Sequence, residues 1–416
     1  MATATATSEV EQQVQDNAST EQNSNAQVTA EPEDKNDKKE EDEDADADEE
    51  EDEPQSDRAS QFIQRLRQMV SFLTQTGQLE VVAKILQDYF EFYATREYIT
   101  PAIDLPKFAN RFVAADGDIA YCWSLSFDLG FFARLCFEGF LSICSFPQKL
   151  VPVLMPWIDP ERAVMEFGAM HVSKVLVKRS KHYRMTVNAD LDGVVAGCVK
   201  QHGESWLWPP MQELLRNGFR SPDELISSFG AAAPAGLKQS GFRVVTFELW
   251  DKRTNKLVAG DLGYVVGRCY TSMSGFRSPD TKGCGTIQLV GTYALLKRCG
   301  FAWWDLGMVM DYKKELGAKV VQRKQFISDF HQIRNTRCNL TVESTATNSM
   351  AAVATGGLTK GVELANGATN APTIEAQLLI REARSMERQK LATAKPEAPA
   401  KAVVPAETTA PAKTKK

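Results

Sequence analysis

Charge is distributed very unevenly along this chain of 416 residues, and that distribution limits which part of it can fold. Residues 1–57 carry 21 acidic and 3 basic side chains, including the run EEDEDADADEEEDE at 40–53. Such a segment cannot bury enough apolar surface to offset the entropy lost on ordering, so we predict that it is disordered. Residues 58–390 carry 40 basic and 31 acidic side chains, so the net charge of −6 conceals a basic body. A basic body suits a polyanionic partner such as RNA.

Several functional classes are disfavoured by what the sequence lacks. The eight cysteines form no CxxC pair and the four histidines lie far apart, so we predict reduced, buried thiols and no metal site. Neither a GxSxG motif nor a P-loop is present, which counts against hydrolase and NTPase functions. The chain has no apolar run of about 18 residues and no secretory signal pattern, so we predict a cytoplasmic protein without a membrane span.

Apolar residues at helical spacing follow the acidic segment and predict a small helical domain over residues 58–146. The segment DLGFFARLCFEGF at 128–140 predicts another helix of this domain. The amphipathic helices predicted within 59–100 rest on these apolar positions: Phe62, Leu66, Met69, Val70 and Leu73, then Val81, Ile85, Leu86, Tyr89 and Phe90.

Strands and helices alternate from residue 147 to residue 335, which predicts an α/β (α+β) domain with an acetyltransferase-like mixed sheet. A turn is expected near Ala259-Gly260, or a bend at Gly263, within the two strands predicted over 256–276. The other predicted strands are 182–190, 243–251, 301–307 and Gln322–Phe326, and the predicted helices are 285–300 and 311–318.

The C-terminal region 336–416 is predicted to be a linker and tail. Residues 339–372 are rich in Thr, Ala, Gly and Asn, and residues 393–416 are rich in Ala, Pro and Lys. Residues 373–392 have the composition and period of a helix, with Ile374, Leu378 and Ile380 on its apolar side.

A dense basic cluster follows residue 173, and such density suits contacts to nucleic-acid phosphates. A solvated helix face explains the same pattern equally well. The candidate nucleic-acid-binding residues are Lys174, Lys178, Arg179, Lys181 and Arg184.

Two further positions are candidates for a site. Trp206, in GESWLWPPM, is suited to stack on an unpaired base, although a buried core position is the more common fate of a tryptophan. Asp305 ends the apolar run FAWWD, where an acid is costly unless it is paired or functional. It is expected either to hold or deprotonate an attacking amine, or to be satisfied structurally by backbone N–H groups.

Seven segments occur in the order seen in bacterial leucyl/phenylalanyl-tRNA–protein transferases, and together they resemble that family over about half of the chain. They are DLGFFARLCFEGF (128–140), PWIDPERAV (156–164), MHVSKVLVK (170–178), VVAGCV (194–199), SWLWPPM (205–211), FELWDKRTNKLVAGDLGYVVGR (247–268) and DLGMVMDYKKELGA (305–318).

The resemblance implies an acetyltransferase-like fold behind a small N-terminal domain. It implies transfer of Leu or Phe from charged tRNA to acceptor proteins with basic N-terminal residues, which marks them for degradation by the N-degron route, and it implies no cofactor. By position, Asp305 matches the family's catalytic Asp and Trp206 matches a Trp at the tRNA 3′ end. Ser274 and Phe276 match residues beside the amino-acid pocket.

The chain departs from the family at polar positions of the pocket. Met273 stands in place of a Glu, Gly307 in place of a Gln, and Met310 in place of an Asn. With Met308, the methionines predict an apolar and adaptable substrate pocket. A non-catalytic protein that binds tRNA or protein N-termini is the alternative. An acyl-CoA N-acyltransferase is a third reading, although Asp280 before the turn at 283–286 would repel a pyrophosphate.

Overall fold

The computed structural model describes residues 53–114, 121–168, 170–204, 206–229, 233–340 and 373–393. Most of the segment predicted to be disordered, residues 1–57, lies outside these ranges. So do the tail after residue 393 and nearly all of the predicted linker 339–372. The first helix begins at Glu53, so it includes the last residues of the acidic segment.

Helices and strands alternate through most of the described chain, and two short 3₁₀ turns occur at Pro147–Lys149 and Ser180–His182. The helices are α1 Glu53–Gln75, α2 Leu79–Tyr89, α3 Glu91–Ala94, α4 Leu105–Ala114, α5 Leu129–Phe137, α6 Lys174–Arg179, α7 Leu191–His202, α8 Pro209–Gly218, α9 Pro222–Ser228, α10 Ala235–Ser240, α11 Cys284–Arg298, α12 Asp311–Glu315, α13 Arg323–Ile333 and α14 Ala376–Thr393. The strands are β1 Leu141–Ser145, β2 Val153–Trp157, β3 Glu161–Glu166, β4 Tyr183–Val187, β5 Arg243–Asp251, β6 Leu257–Val266, β7 Cys269–Arg277, β8 Trp303–Asp305, β9 Lys319–Gln322 and β10 Ile374–Glu375.

Eight strands form one mixed sheet in the order β10-β4-β5-β6-β7-β8-β3-β9, and β1 pairs with β2 in a separate antiparallel hairpin. Strands β7 and β8 are parallel, and the other pairs in the described sheet are antiparallel. Helix α11 connects β7 to β8, as a parallel pair requires a crossover. The predicted α+β class with a mixed sheet is therefore confirmed.

Two apolar layers cover the sheet. On one face, α5, α7 and α13 enclose a core that includes Phe132, Val194 and Phe326, and we call this the α7 face. On the opposite face, α6, α11 and α14 pack over residues such as Phe247 and Trp304, and we call this the α11 face. The core of the α7 face also contains Phe108 and Phe140, so it continues across the domain boundary predicted at residue 146.

The N-terminal helices were predicted correctly as helices, and they pack against the β1–β2 hairpin around Trp123. Their apolar positions are divided between this cluster and solvent. Leu66, Val70 and Leu86 are buried, whereas the rings of Phe62 and Tyr89 lie 5.6 Å apart and each side chain is nearly half exposed.

Two predictions about strands were wrong. The β6–β7 turn lies at Gly267-Arg268, not near Ala259-Gly260, because Gly267 adopts a φ of 59°, in the left-handed region that a tight hairpin turn needs. Gly263 lies instead at an irregularity in the β6–β7 register. Residues 322–326 do not form a strand, because β9 ends at Gln322 and α13 begins at Arg323.

The helical prediction for residues 373–392 was correct, but its apolar side was assigned partly wrongly. Leu378 is 45% exposed, and Leu379 is buried instead, beside Ile380 and Ala383. Ile374 lies in β10, paired with Met185 of β4. The segment therefore joins the main core and does not trail from it. Among the described residues, no helix combines the length and apolar character needed to cross a bilayer.

Substituting Ile380 tests whether α14 is part of the folded core. Ile380→Ala should lower the free energy of unfolding by about 2–5 kcal/mol, because it leaves a cavity between α14 and the sheet. Leu378→Ala, two residues away on the exposed side of the same helix, should change it by less than about 0.5 kcal/mol. Urea denaturation measures both, and equal effects of the two variants would show that α14 does not dock as described.

Candidate functional site

The parallel strands β7 and β8 stop pairing after Thr271 and Asp305. Most of the predicted pocket residues lie near this end of the pair. Thr271 of β7 pairs with Asp305, the last residue of β8. Beyond this point β7 continues to Arg277 beside β6, whereas the chain leaves β8 and passes through residues 306–310. Crevices at the carboxyl ends of such strands are common ligand sites in α/β proteins.

Asp305 is buried in an ion pair with Arg162. Both side chains are 1% exposed, and Arg162 Nη1 lies 3.4 Å from Asp305 Oδ2. Thr271 Oγ1 donates a hydrogen bond to Oδ2 at 3.2 Å, and the Gly307 backbone N–H donates one to Oδ1 at 2.9 Å. Both carboxylate oxygens thus already have partners within the protein, although only one of these partners is a backbone N–H group.

Arg162, which sequence reasoning had not singled out, is held by three parts of the chain. Its Nη2 donates to the Gly139 carbonyl at 2.8 Å, and its guanidinium lies 4.7 Å from the centre of the Phe326 ring. Burial alone would lower the pKa of Arg162, but the carboxylates of Asp305 and Asp159 raise it above its usual value. Arg162 is therefore a permanent cation beside Asp305.

Asp261 is a second buried carboxylate that sequence reasoning missed. Its Oδ2 accepts hydrogen bonds from the Tyr270 hydroxyl and from Ser272 Oγ, both at 2.7 Å. Trp304 Nε1 in turn donates to Ser272 Oγ at 2.8 Å. Burial raises the pKa of Asp261 to about 6, although these two hydroxyls lower it in part. The signal was the same as for Asp305, a lone acid in the apolar strand LVAGDLGYVV.

The sheet separates the two carboxylates. Successive side chains of a strand point to opposite faces of the sheet. Thr271, which bonds to Asp305, therefore lies on one face, and its neighbours Tyr270 and Ser272, which bond to Asp261, lie on the other. The packing of neighbouring residues shows the same alternation. Cys269 packs in the core of the α7 face, and the next residue, Tyr270, packs in the core of the α11 face.

Lys313 fixes the loop that follows β8. Its buried ammonium donates to the carbonyls of Leu306 and Met308, at 2.8 and 2.9 Å. Gly307 within this loop has a φ of 73°, which a glutamine could adopt only with strain. The departure from the family pattern at Gly307 is thus built into the backbone.

The predicted pocket residues do not all face one cavity. Met273 lies at the register irregularity of β7 and is half-buried. Ser274 is buried, and Phe276 packs against α7, where a Cβ added at Gly197 would lie 2.5 Å from its ring. Met308 is half-buried on the loop after β8, and Met310 is buried there.

Trp206 lies beside strand β1, half-buried against the core of the α7 face. Its carbonyl accepts a hydrogen bond from the Cys144 backbone N–H at 3.1 Å. A Cβ added at Gly307 would lie 3.5 Å from Leu141 of the same strand. Strand β1 therefore connects Trp206 with the loop after Asp305.

The predicted basic residues lie on the α11 face, on and after α6. Lys174, Lys178, Arg179 and Lys181 are exposed. Arg184 is half-buried and engaged, because its Nη2 donates to Asn255 Oδ1 at 2.6 Å and its guanidinium lies over the Trp250 ring. The structure thus separates the basic helix from Asp305, Ser274 and Phe276 by the thickness of the sheet.

An open groove of about 350 Å³ lies at the other end of β8. None of the predicted site residues lines it. Within the described residues, no group of three His, Cys, Asp or Glu side chains is placed to share a metal ion. The groove is lined by Val164, Glu166, Trp303, Lys319, Val320, Val321, Gln322, Gln325 and Asp329.

These features describe an α+β domain whose candidate site lies where a single β7–α11–β8 crossover ends. Comparison with known proteins confirms the family resemblance. Residues 164–331, from β3 to α13, match the model of the leucyl/phenylalanyl-tRNA protein transferase family. The members of that family are aminoacyl-tRNA transferase enzymes.

Individual bacterial relatives are similar over a little less than half of the chain. A leucyl/phenylalanyl-tRNA–protein transferase of Shewanella pealeana is 27% identical over 187 residues, which is 44% of this chain and 70% of the relative. The transferase of Pseudomonas fluorescens is 28% identical over 185 residues, 42% of this chain and 69% of the relative. That of Alkalilimnicola ehrlichii is 26% identical over 188 residues, 44% of this chain and 63% of the relative.

Removing one member of the buried ion pair should lower the free energy of unfolding far more than removing both members. Arg162→Met should lower the free energy of unfolding by about 3–5 kcal/mol, because it leaves the Asp305 carboxylate buried without a cation. The double variant Arg162→Met, Asp305→Leu should recover most of that loss, and urea denaturation measures each. Arg111→Met, in the exposed pair with Glu97, should cost less than about 1 kcal/mol. Equal losses in the single and double buried variants would contradict the pairing.

Asp261 predicts a pH dependence of stability. Its pKa in the folded protein is about 6, above its ordinary value of 3.8, so the folded state holds the proton more tightly than the unfolded state. Stability from this group is present below pH 3.8 and is lost as the pH rises to about 6. Asp261→Asn should therefore gain stability over the wild type, by on the order of 3 kcal/mol, as the pH rises through this window. Urea denaturation at pH 4 and pH 7 measures the difference in unfolding free energy between the variant and the wild type. If Asp261 does not titrate in this range, that difference would be the same at both pH values.

Proposed function

We propose that this protein transfers an aminoacyl group, Leu or Phe or a related residue, from charged tRNA to the N-terminus of acceptor proteins. The acceptors begin with a basic residue, and the modification feeds their degradation by the N-degron route. The observation that carries the proposal is that the family-matched region, residues 164–331, contains the end of the β7–β8 pair and Asp305. The proposed domain is acetyltransferase-like, extends over 147–335, and follows a helical domain.

The chemistry needs no activation step, because the aminoacyl ester of tRNA is already reactive. The acceptor's α-amino nitrogen attacks the ester carbonyl carbon, an amide bond forms, and the ester C–O bond breaks. The ribose hydroxyl of the tRNA leaves with a proton that the amine releases. Positioning and electrostatic stabilisation can supply the acceleration, so we propose no cofactor.

Asp305 acts, in this proposal, by shaping the site and not by taking a proton. Its oxygens face Arg162, Thr271 and the Gly307 N–H, so its hydrogen bonds define the start of the loop 306–310. Lys313 holds the same loop through the Leu306 and Met308 carbonyls. Asp305 is thus a positioning residue, which narrows the catalytic role that the resemblance implied.

Recognition is divided between apolar and basic surfaces. Met273, Met308 and Met310 stand near the end of the β7–β8 pair and supply an apolar, adaptable lining suited to Leu or Phe. Trp206 is proposed to stack on the terminal base of the tRNA. The exposed lysines and Arg179 of the α6 region are proposed to contact its phosphates. The eight free cysteines fit a reducing compartment, and we place the reaction in the cytoplasm.

A transfer assay tests the proposal directly. Purified protein is mixed with tRNA charged with labelled Phe or Leu and with a model protein that begins with Arg or Lys. Label is expected on the acceptor. Absence of transfer with retained binding of charged tRNA would overturn the transferase function and leave a non-catalytic binding protein.

Two substitutions of Asp305 separate a positioning residue from a general base. Asp305→Ala should lower kcat by about 100-fold or more, because the loop loses its anchor. Asp305→Asn keeps hydrogen-bonding capacity, so it should retain a measurable part of kcat with the same pH profile. Binding of tRNA should be unchanged in both, and the exposed control Asp88→Ala should be fully active. A pH-dependent step in kcat that the wild type shows and the Asn variant lacks would assign proton transfer to Asp305, whereas a folded but inactive Asn variant would assign the loss to the missing charge beside Arg162.

A further inference from the structure

The C-terminal segment 373–393 lies outside the family-matched region, yet it is built into the α11 face. Strand β10 extends the sheet beside β4, and α14 buries Leu379, Ile380 and Ala383 against it. Gln377 Nε2 of α14 donates to the Val177 carbonyl of α6 at 3.1 Å. This chain therefore carries a second helix directly beside the basic helix α6.

All three acidic residues of this segment are used in contacts within the protein. Glu375 pairs with Lys252, and Glu382 pairs with Arg298 of α11. Glu387 accepts from the backbone N–H of Val172 at 3.2 Å and lies 2.6 Å from His171. These carboxylates anchor the segment, because each is engaged by a cationic side chain, a backbone N–H group or the His171 ring.

The arginines of α14 have the opposite arrangement. Arg381, Arg384 and Arg388 follow Gln377 at intervals of four, three and four residues, so they form one stripe on the side of α14 that contacts α6. Arg381 and Arg388 are exposed and Arg384 is half-buried. Within the described part of the chain, none of the three forms an ion pair or hydrogen bond.

The stripe adjoins the free cations of α6. Lys174, Lys178 and Lys181 are exposed and likewise form no ion pair within the described residues. Because α14 packs directly on α6 and on the turn at 180–182, we group the two sets as the α6–α14 surface, defined by these three lysines with Arg381, Arg384 and Arg388. Guanidinium groups bind phosphates through two parallel hydrogen bonds, which suits a polyphosphate backbone more than a single anion.

We propose that the α6–α14 surface binds the RNA backbone of the tRNA substrate, and that α14 supplies phosphate contacts beyond the family-matched region. The inference rests on the proposed function for the identity of the RNA. Its physical basis is independent of the transfer chemistry, because all three acids of the segment have partners within the protein, whereas its three arginines form no ion pair or hydrogen bond within the described residues. The contacts position the RNA and read no sequence.

Binding of uncharged tRNA to the full-length protein over a range of salt concentrations tests the inference. In the triple variant Arg381→Glu, Arg384→Glu, Arg388→Glu, affinity should fall, and the slope of log K against log salt should decrease by about 2–3 because three phosphate contacts are lost. In the triple Arg→Gln variant, the affinity for tRNA and the salt slope should also decrease, and the loss of affinity should be smaller than in the triple Glu variant. Circular dichroism confirms that both are folded.

A matched control changes the same charge elsewhere. Arg65, Lys84 and Lys107 are exposed on the N-terminal helices, and their triple Glu variant should keep the wild-type slope. An equal decrease of the slope in both triple Glu variants would overturn the inference and leave a general effect of net charge. An unchanged slope in the α14 variants would also overturn the inference.

The outcomes separate this inference from the proposed function. Wild-type protein that transfers label, together with an unchanged slope in the α14 variants, overturns the inference alone. Wild-type protein that binds tRNA with the predicted dependence on α14, yet transfers no label from any charged tRNA, overturns the transferase function alone. Failure of the wild type to bind tRNA overturns both.

Discussion

The buried ion pair between Arg162 and Asp305 is the interaction on which the candidate site depends. It joins β3 to the end of β8, while the same guanidinium reaches the Gly139 carbonyl before β1 and the Phe326 ring of α13. A buried charge is tolerated only when it is paired. Strands β3 and β8 must therefore both be in place for either buried charge to be stable. The start of the loop 306–310 is consequently tied to the core through Asp305 and Lys313.

The sheet itself divides the protein's tasks. Asp305, Ser274, Phe276 and Trp206 are associated with the α7 face or its edge, whereas the cations of α6 and α14 lie on the α11 face. In the proposed function, a long polyanion contacts the α11 face and brings its end to the end of the β7–β8 pair. This arrangement keeps the exposed cations away from the apolar methionines, where an unpaired charge would be costly.

Local pattern predicted much of the fold. The predicted helix at 285–300 and the predicted strand at 301–307 correspond to α11 and β8, whereas their crossover connection was seen only in the structure. Patterns failed where the partner was distant in sequence. The helical spacing of Phe326 and Phe330 was missed because a strand was expected there, and Leu379 was not distinguished from Leu378 because only packing on the sheet decides which of two leucines is buried. Asp261 was overlooked although it carries the same signal as Asp305.

The sequence by itself determined many of the helices and strands, which part resembles the transferase family, and that a lone acid ends an apolar strand. These properties depend on neighbouring residues and on composition. Only the tertiary structure decided that Asp305 faces Arg162, that Asp261 lies behind it across the sheet, and that α14 is part of the core beside α6. Those facts depend on contacts between residues that are distant in sequence, such as Gln377 and Val177, which are 200 positions apart, and no local pattern encodes them.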